Sequence, residues 1–83
     1  MTATIEVSLF ALAKDLAGTE KVTLSLPDSA TVGELKTALA ESYPNLRPYI
    51  KNLLIALGTE YADDKTPIAG HHQAACFPPV SGG

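Results

Sequence analysis

Thr31-Val32-Gly33-Glu34-Leu35-Lys36-Thr37-Ala38-Leu39 decides the fold, because it is the one clear long-helix pattern in a chain of 83 residues. Thr31 is placed to cap the first turn. Glu34, three residues later, is placed to reach back to the Thr31 amide, which makes a capping box. Val32, Leu35 and Leu39, helped by Ala38, form an apolar stripe at spacings of three and four. Tyr43-Pro44 ends the helix, since the residue before a proline is pushed out of the α region.

Strand patterns flank this helix. Upstream, Ile5, Val7 and Leu9 alternate with Thr4, Glu6 and Ser8, the period-2 pattern of a half-buried strand. Phe10 falls off that parity and is expected on the opposite, solvent side. Ala11 to Ala17 reads as a short helix closed by Gly18 at the usual C′ position. In a second strand Val22, Leu24 and Leu26 point inward and Lys21, Thr23 and Ser25 outward, before a turn at Pro27-Asp28. Downstream, residues 45–52 are expected to be loop or a single turn. Leu53-Leu54-Ile55-Ala56-Leu57 reads as a third, largely buried strand ended by Gly58-Thr59. Tyr61 precedes an acidic turn, Asp63-Asp64-Lys65, and Pro67-Ile68 reads as a short extended piece. Gln73-Ala74-Ala75-Cys76-Phe77 is the last strand. One helix among these strands predicts an α+β roll, a mixed sheet with one main helix packed across it. The domain spans 1–77 and an extended tail spans 78–83.

Composition narrows the function classes. The chain is 46% apolar and 18% charged, an ordinary globular balance. A domain this small has no volume for a deep enclosed pocket, so function is expected on a surface or at a chain end. The net charge of −3, with six basic residues scattered from Lys14 to Lys65, argues against nucleic acid. No apolar run approaches the ~20 residues of a membrane helix. The single cysteine excludes an internal disulfide and fits a reducing cytoplasm.

Pro78-Pro79-Val80-Ser81-Gly82-Gly83 has neither helix nor strand signal. Prolines lack an amide hydrogen and fix φ, so Pro78-Pro79 predicts a stiff extended arm rather than more sheet. Gly82 and Gly83 then form a tip without Cβ atoms, suited to a narrow channel in another protein and leaving the terminal carboxylate unhindered.

Phe77-Pro78-Pro79-Val80-Ser81-Gly82-Gly83 resembles the C-terminal signature of the small subunit of molybdopterin synthase, the MoaD family. Val7-Ser8-Leu9-Phe10-Ala11-Leu12-Ala13-Lys14-Asp15-Leu16-Ala17-Gly18 is similar to that family's opening strand and helix. Thr31-Val32-Gly33-Glu34-Leu35 and Tyr43-Pro44-Asn45-Leu46 match comparable segments. The resemblance implies a ubiquitin-like β-grasp fold and a sulfur-carrier cycle. An E1-like adenylating enzyme would activate the Gly83 carboxylate with ATP, and a sulfur donor enzyme would convert it to a thiocarboxylate. The large subunit, in a heterotetramer of two small and two large subunits, would then pass the sulfur to cyclic pyranopterin monophosphate. The chain is not catalytic alone and is expected to bind no cofactor and no metal, ATP being used by the activating enzyme. Gly83 carries the chemistry, Gly82 gives access, and Phe10, Tyr61, Phe77, Pro78, Pro79 and Val80 are the expected partner contacts. First and last strands adjoin in a β-grasp sheet, which predicts that the Phe10 and Phe77 rings meet.

Other residues have plainer readings. Cys76, inside an apolar strand, reads as a small buried hydrophobe rather than a nucleophile. His71-His72 reads as a solvated turn, because adjacent side chains in extended chain diverge and no third ligand is near in sequence. Lys14 reads as a solvated helix lysine. Two other functions need the same Gly-Gly end: a sulfur carrier for thiamin or cysteine synthesis, and a modifier joined to protein lysines.

Overall fold

The computed structural model describes residues 2–78. Five strands form one sheet: β1 (Thr2–Leu9), β2 (Lys21–Pro27), β3 (Leu54–Leu57), β4 (Glu60–Ala62) and β5 (Gln73–Phe77). Their order is β2-β1-β5-β3-β4. β1 and β5 run parallel at the centre and every other pairing is antiparallel. A short helix α1 (Leu12–Ala17) links β1 to β2, and the main helix α2 (Val32–Ser42) lies between β2 and β3.

The alternation in β1 and β2 falls as the sequence predicts, with Ile5, Val7, Leu9, Val22, Leu24 and Leu26 buried. α1 ends at Gly18, whose φ of 76° lets its amide bond back to the Lys14 carbonyl at 2.9 Å. Val32, Leu35 and Leu39 of α2 are fully buried against the sheet. Burying one such side chain contributes roughly 1.5–3 kcal/mol, so this stripe is what fixes the helix to the strands. Thr31 is extended and its hydroxyl accepts from the Glu34 amide at 3.4 Å, which forms one half of the expected capping box. The first two amides of α2 are taken by the loop after β4. Val32 N–H donates to the Thr66 carbonyl and Gly33 N–H to that of Asp64, each at 2.9 Å. Lys36 closes the same junction with a 2.9 Å ion pair to Asp64. Asp63 shapes this loop by accepting from the Lys65 amide and the Thr66 hydroxyl. The acidic turn therefore anchors the start of the helix.

Two features differ from the sequence expectation. β4 is a fifth strand where only a residue before a turn was expected. Its three residues are too few to show a period, and it exists because Gly58, at φ 64°, closes a hairpin back onto β3. Residues 45–52 contain two 3₁₀ turns, Pro44–Leu46 and Ile50–Asn52, rather than one turn or a loop. The first turns the Leu46 side chain wholly into the core.

Leu46 is thus a core residue on an irregular segment, and Leu46→Ala should cost about 2–5 kcal/mol of stability. Urea unfolding at equilibrium measures it. A loss below ~1 kcal/mol, the size of an ordinary surface change, would remove Leu46 from the core.

Candidate functional site

β3 and β5 explain where the outer face becomes a site. Helices cover only the inner face of the sheet, yet Leu53–Leu57 and Ala74–Phe77 are unbroken apolar runs. Such runs suit strands covered on both faces. Burial in fact alternates along both: Ile55, Leu57, Ala74 and Cys76 are buried, whereas Leu54, Ala56, Ala75 and Phe77 are half-buried on the outer side. β3 is therefore buried on one face rather than throughout. The outward residues are apolar although no helix among the described residues covers them.

Strand register places them side by side. One row across the sheet runs Lys21, Ser8, Ala75, Ala56, Tyr61, and the next sets Leu54 opposite Phe77. The apolar area thus lies over β5, β3 and β4. Over β1 and β2 the same face carries Glu6, Lys21 and Thr23, with Lys21 and Glu6 paired at 3.5 Å. Tyr61, 70% exposed, meets Phe77 edge to face, with ring centroids 5.5 Å apart and planes at 68°. Tyr61 is opposite Ala56 on β3, one row along from the Leu54–Phe77 pair, so the two rings meet diagonally across that strand. Such pairs contribute ~0.5–1.5 kcal/mol beyond area burial and hold both rings in place.

The expected meeting of Phe10 with Phe77 is not what forms. The strands adjoin, and the Phe10 amide donates to the Cys76 carbonyl at 3.0 Å. Among the described residues, however, Phe77 has Tyr61 as its aromatic partner. Phe10 lies one residue past the end of β1, in a turn whose next residue, Ala11, has φ 52°. Ladder parity no longer sets its direction there, and its side chain is left 51% exposed. Leu54, Ala56 and Ala75 were missed as candidates, although their uninterrupted apolar runs were visible. Pro78, half-buried, follows directly from β5. Pro79, Val80, Gly82 and Gly83 lie outside the described residues.

Cys76 and His72 have structural roles. Cys76 is fully buried, and burial pushes its thiol up from 9.0 to about 11 against a smaller opposing pull from Lys36. That is the reverse of what a sulfur nucleophile requires. His71 and His72 are exposed, and the His72 carbonyl accepts from the Glu6 amide at 2.9 Å where β1 and β5 begin to pair. Among the described residues no group of three or more His, Cys, Asp or Glu side chains is placed to hold a metal. Lys14 is exposed beside Glu20 at 3.9 Å.

A five-stranded mixed sheet wrapped on one main helix, with its last strand central and leading into the chain end, defines the ubiquitin-like β-grasp class. The chain belongs to the ThiS family, whose model matches residues 7–83. It is 33% identical to the molybdopterin synthase sulfur carrier subunit of Arabidopsis thaliana, over 95% of this chain and 82% of that one. Small archaeal modifier protein 1 of Haloferax volcanii superposes with a TM-score of 0.83 at 29% identity, covering 94% of this chain and 99% of that one. The fold is also shared, with a TM-score of 0.64 and 23% identity, by a chain in the Helicobacter pylori complex of subunits 1 and 2 of molybdopterin-converting factor, over 98% of this chain and all of that one.

The shifted thiol gives a pH dependence with a definite sign. Well below pH 9 Cys76 is protonated in both folded and unfolded chains and has no effect on the balance. As pH rises from 9.0 toward 11 the unfolded chain loses its thiol proton first, so stability falls in that window. Two pK units correspond to about 2–3 kcal/mol. Unfolding free energies of wild type and Cys76→Ala from pH 8 to pH ~11 should therefore converge as pH rises. A difference that stays constant would show that the thiol ionises as freely in the fold as out of it.

Proposed function

We propose that this chain is the sulfur-carrier small subunit of a molybdopterin synthase and that the terminal carboxylate of Gly83 is its working group. The observation that carries this reading is the 33% identity to a sulfur carrier subunit across 95% of the chain. An apolar outer face beside the strand that leads into the tail supports it, because a carrier must dock before its end can be used.

The chemistry follows from the carboxylate. It is a poor electrophile, since attack would have to expel oxide. Adenylation by an E1-like enzyme replaces that leaving group with AMP and releases pyrophosphate from ATP. The sulfur of a donor enzyme's persulfide then attacks the Gly83 carbonyl and AMP departs. A thiol that cleaves the remaining S–S bond frees the thiocarboxylate. Docked on the large subunit, the carrier gives this sulfur to cyclic pyranopterin monophosphate. Cys76 is buried with its thiol held protonated, so the chain's own sulfur is not the one transferred. Base and oxyanion stabiliser come from the partners, in a cytoplasmic cycle. The outer face, with Tyr61 and Phe77 at its centre, meets the large subunit and aims Pro78-Pro79 and the glycine tip into its channel.

A second reading rests on the similarity to small archaeal modifier protein 1. The same activated Gly83 would then pass to a lysine amine and form an isopeptide bond. The product separates the two: a free chain ending in thiocarboxylate, or a chain joined to other proteins.

Incubation with activating enzyme, ATP and sulfur donor should change the intact mass by one oxygen-to-sulfur exchange, located at Gly83 by fragmentation. Cys76→Ala should be charged equally well. A chain extended past Gly83 should melt like wild type and take up no sulfur. Sulfur found elsewhere, or charging of an uncleaved extended chain, would exclude Gly83 as the carrier.

Tyr61→Ala and Phe77→Ala should each weaken binding to the large subunit by roughly 10- to 30-fold, as truncated interface aromatics do. Unfolding free energy should fall by no more than about 1.5 kcal/mol for the 70% exposed Tyr61, the size of the ring contact, and by up to about 3 kcal/mol for the half-buried Phe77, which also loses buried area. Unchanged affinity in calorimetric titration would place the docking face elsewhere.

A further inference from the structure

Ala11 is the one non-glycine residue with positive φ among the described residues, at φ 52° and ψ −126°. Those angles match the first central position of a type II′ turn, a place glycine fills without strain. The turn is closed by the Ala13 amide donating to the Phe10 carbonyl at 3.1 Å. It is held at both sides, because Phe10 N–H donates to Cys76 on β5 and the Ala11 carbonyl accepts from Asp15 in α1 at 3.1 Å. An L-residue held in such a region costs of order 1–3 kcal/mol. Simple connection of β1 to α1 does not account for that cost, since glycine would make the same turn without it.

The residues the turn presents supply a reason. Among the described residues four large hydrophobic side chains are exposed, and two of them, Phe10 at 51% and Leu12 at 39%, flank Ala11. The corner lies against β5, one residue before Phe77 and two before the proline arm. It is therefore continuous with the root of the tail, on the opposite flank of β5 from the Tyr61–Phe77 pair.

We propose that Ala11 is a positioning residue for docking. Its restricted backbone holds Phe10 and Leu12 in one orientation as a second apolar contact for the large subunit that receives the tail. This rests on the sulfur-carrier reading above. Once the turn's hydrogen bonds have closed, the alanine methyl leaves its backbone a narrow well, whereas glycine leaves a broad one. The corner is thus ordered before binding, and that ordering is not taken from the affinity.

Two variants separate this from a merely structural role. Ala11→Gly relieves strain but loosens the turn. A chemically synthesised chain with D-alanine in place of Ala11 relieves the same strain and keeps the turn rigid, because D-residues favour positive φ. Neither should lower the melting temperature. Against the purified molybdopterin synthase large subunit of the same organism, Ala11→Gly should bind about 3- to 10-fold more weakly through faster dissociation, and the D-alanine chain at least as tightly as wild type. In a Phe10→Ala, Leu12→Ala background the glycine effect should vanish. Wild-type affinity in the glycine variant, equal weakening by D-alanine, or a lowered melting temperature with glycine would overturn the proposal while leaving the carrier reading intact. Failure of the wild-type chain itself to bind would overturn the carrier reading, and the proposed contact with it.

Discussion

The parallel pairing of β1 with β5, from Glu6 opposite Gln73 to Leu9 opposite Cys76, brings the first and last strands of the domain together at the centre of the sheet. Parallel neighbours cannot be joined by a tight turn, so everything between them must cross over. α2 makes that crossing and covers the inner face with Val32, Leu35 and Leu39. The consequence for function is positional. A chain end leaving a central strand emerges between two neighbours, β1 with its Phe10 corner and β3 with Leu54. An edge strand would offer such flanking on one side only.

The two faces of this sheet obey different constraints. The inner face is filled by one continuous apolar cluster, with no polar side chain among the buried described residues. The outer face is polar over β2 and β1 and apolar over β5, β3 and β4, although no helix among the described residues lies on it. An apolar surface without an internal cover is stable when a partner supplies one, which suits the docking proposed for this chain. Cys76 points to the inner side, where burial raises its pKa and withdraws it from sulfur chemistry.

Much of the fold was legible in the sequence, for reasons that also explain the failures. β1, β2 and α2 announce themselves because one side of each is polar, and polarity marks the period. In β3 the outward residues Leu54 and Ala56 are apolar too, so the period disappears and the strand reads as largely buried. That lost alternation marks the apolar outer face proposed as the docking surface. β4 has three residues, fewer than any period needs, and Leu46 reaches the core from a 3₁₀ turn with no repeating pattern. Adjoining first and last strands led to the expectation that Phe77 meets Phe10, but strand adjacency does not tell which neighbour a long side chain reaches. Tyr61, opposite Ala56 on the intervening strand, reaches Phe77 diagonally across it, while the turn at Ala11 carries Phe10 out of the ladder.

The central claim is that one apolar half of one sheet face docks the partner that takes the tail. Titration of the ¹⁵N-labelled chain with the purified large subunit, followed by amide chemical shifts and intensities, tests it residue by residue. Changes should concentrate on Leu54, Ala56, Tyr61, Ala75 and Phe77, with the turn at Phe10–Leu12 and the residues after Pro79. Thr23 and Ser25 on β2 and the exposed side of α2 should remain unperturbed. Changes centred on β2 and α2, with the β3–β5 face unaffected, would contradict it.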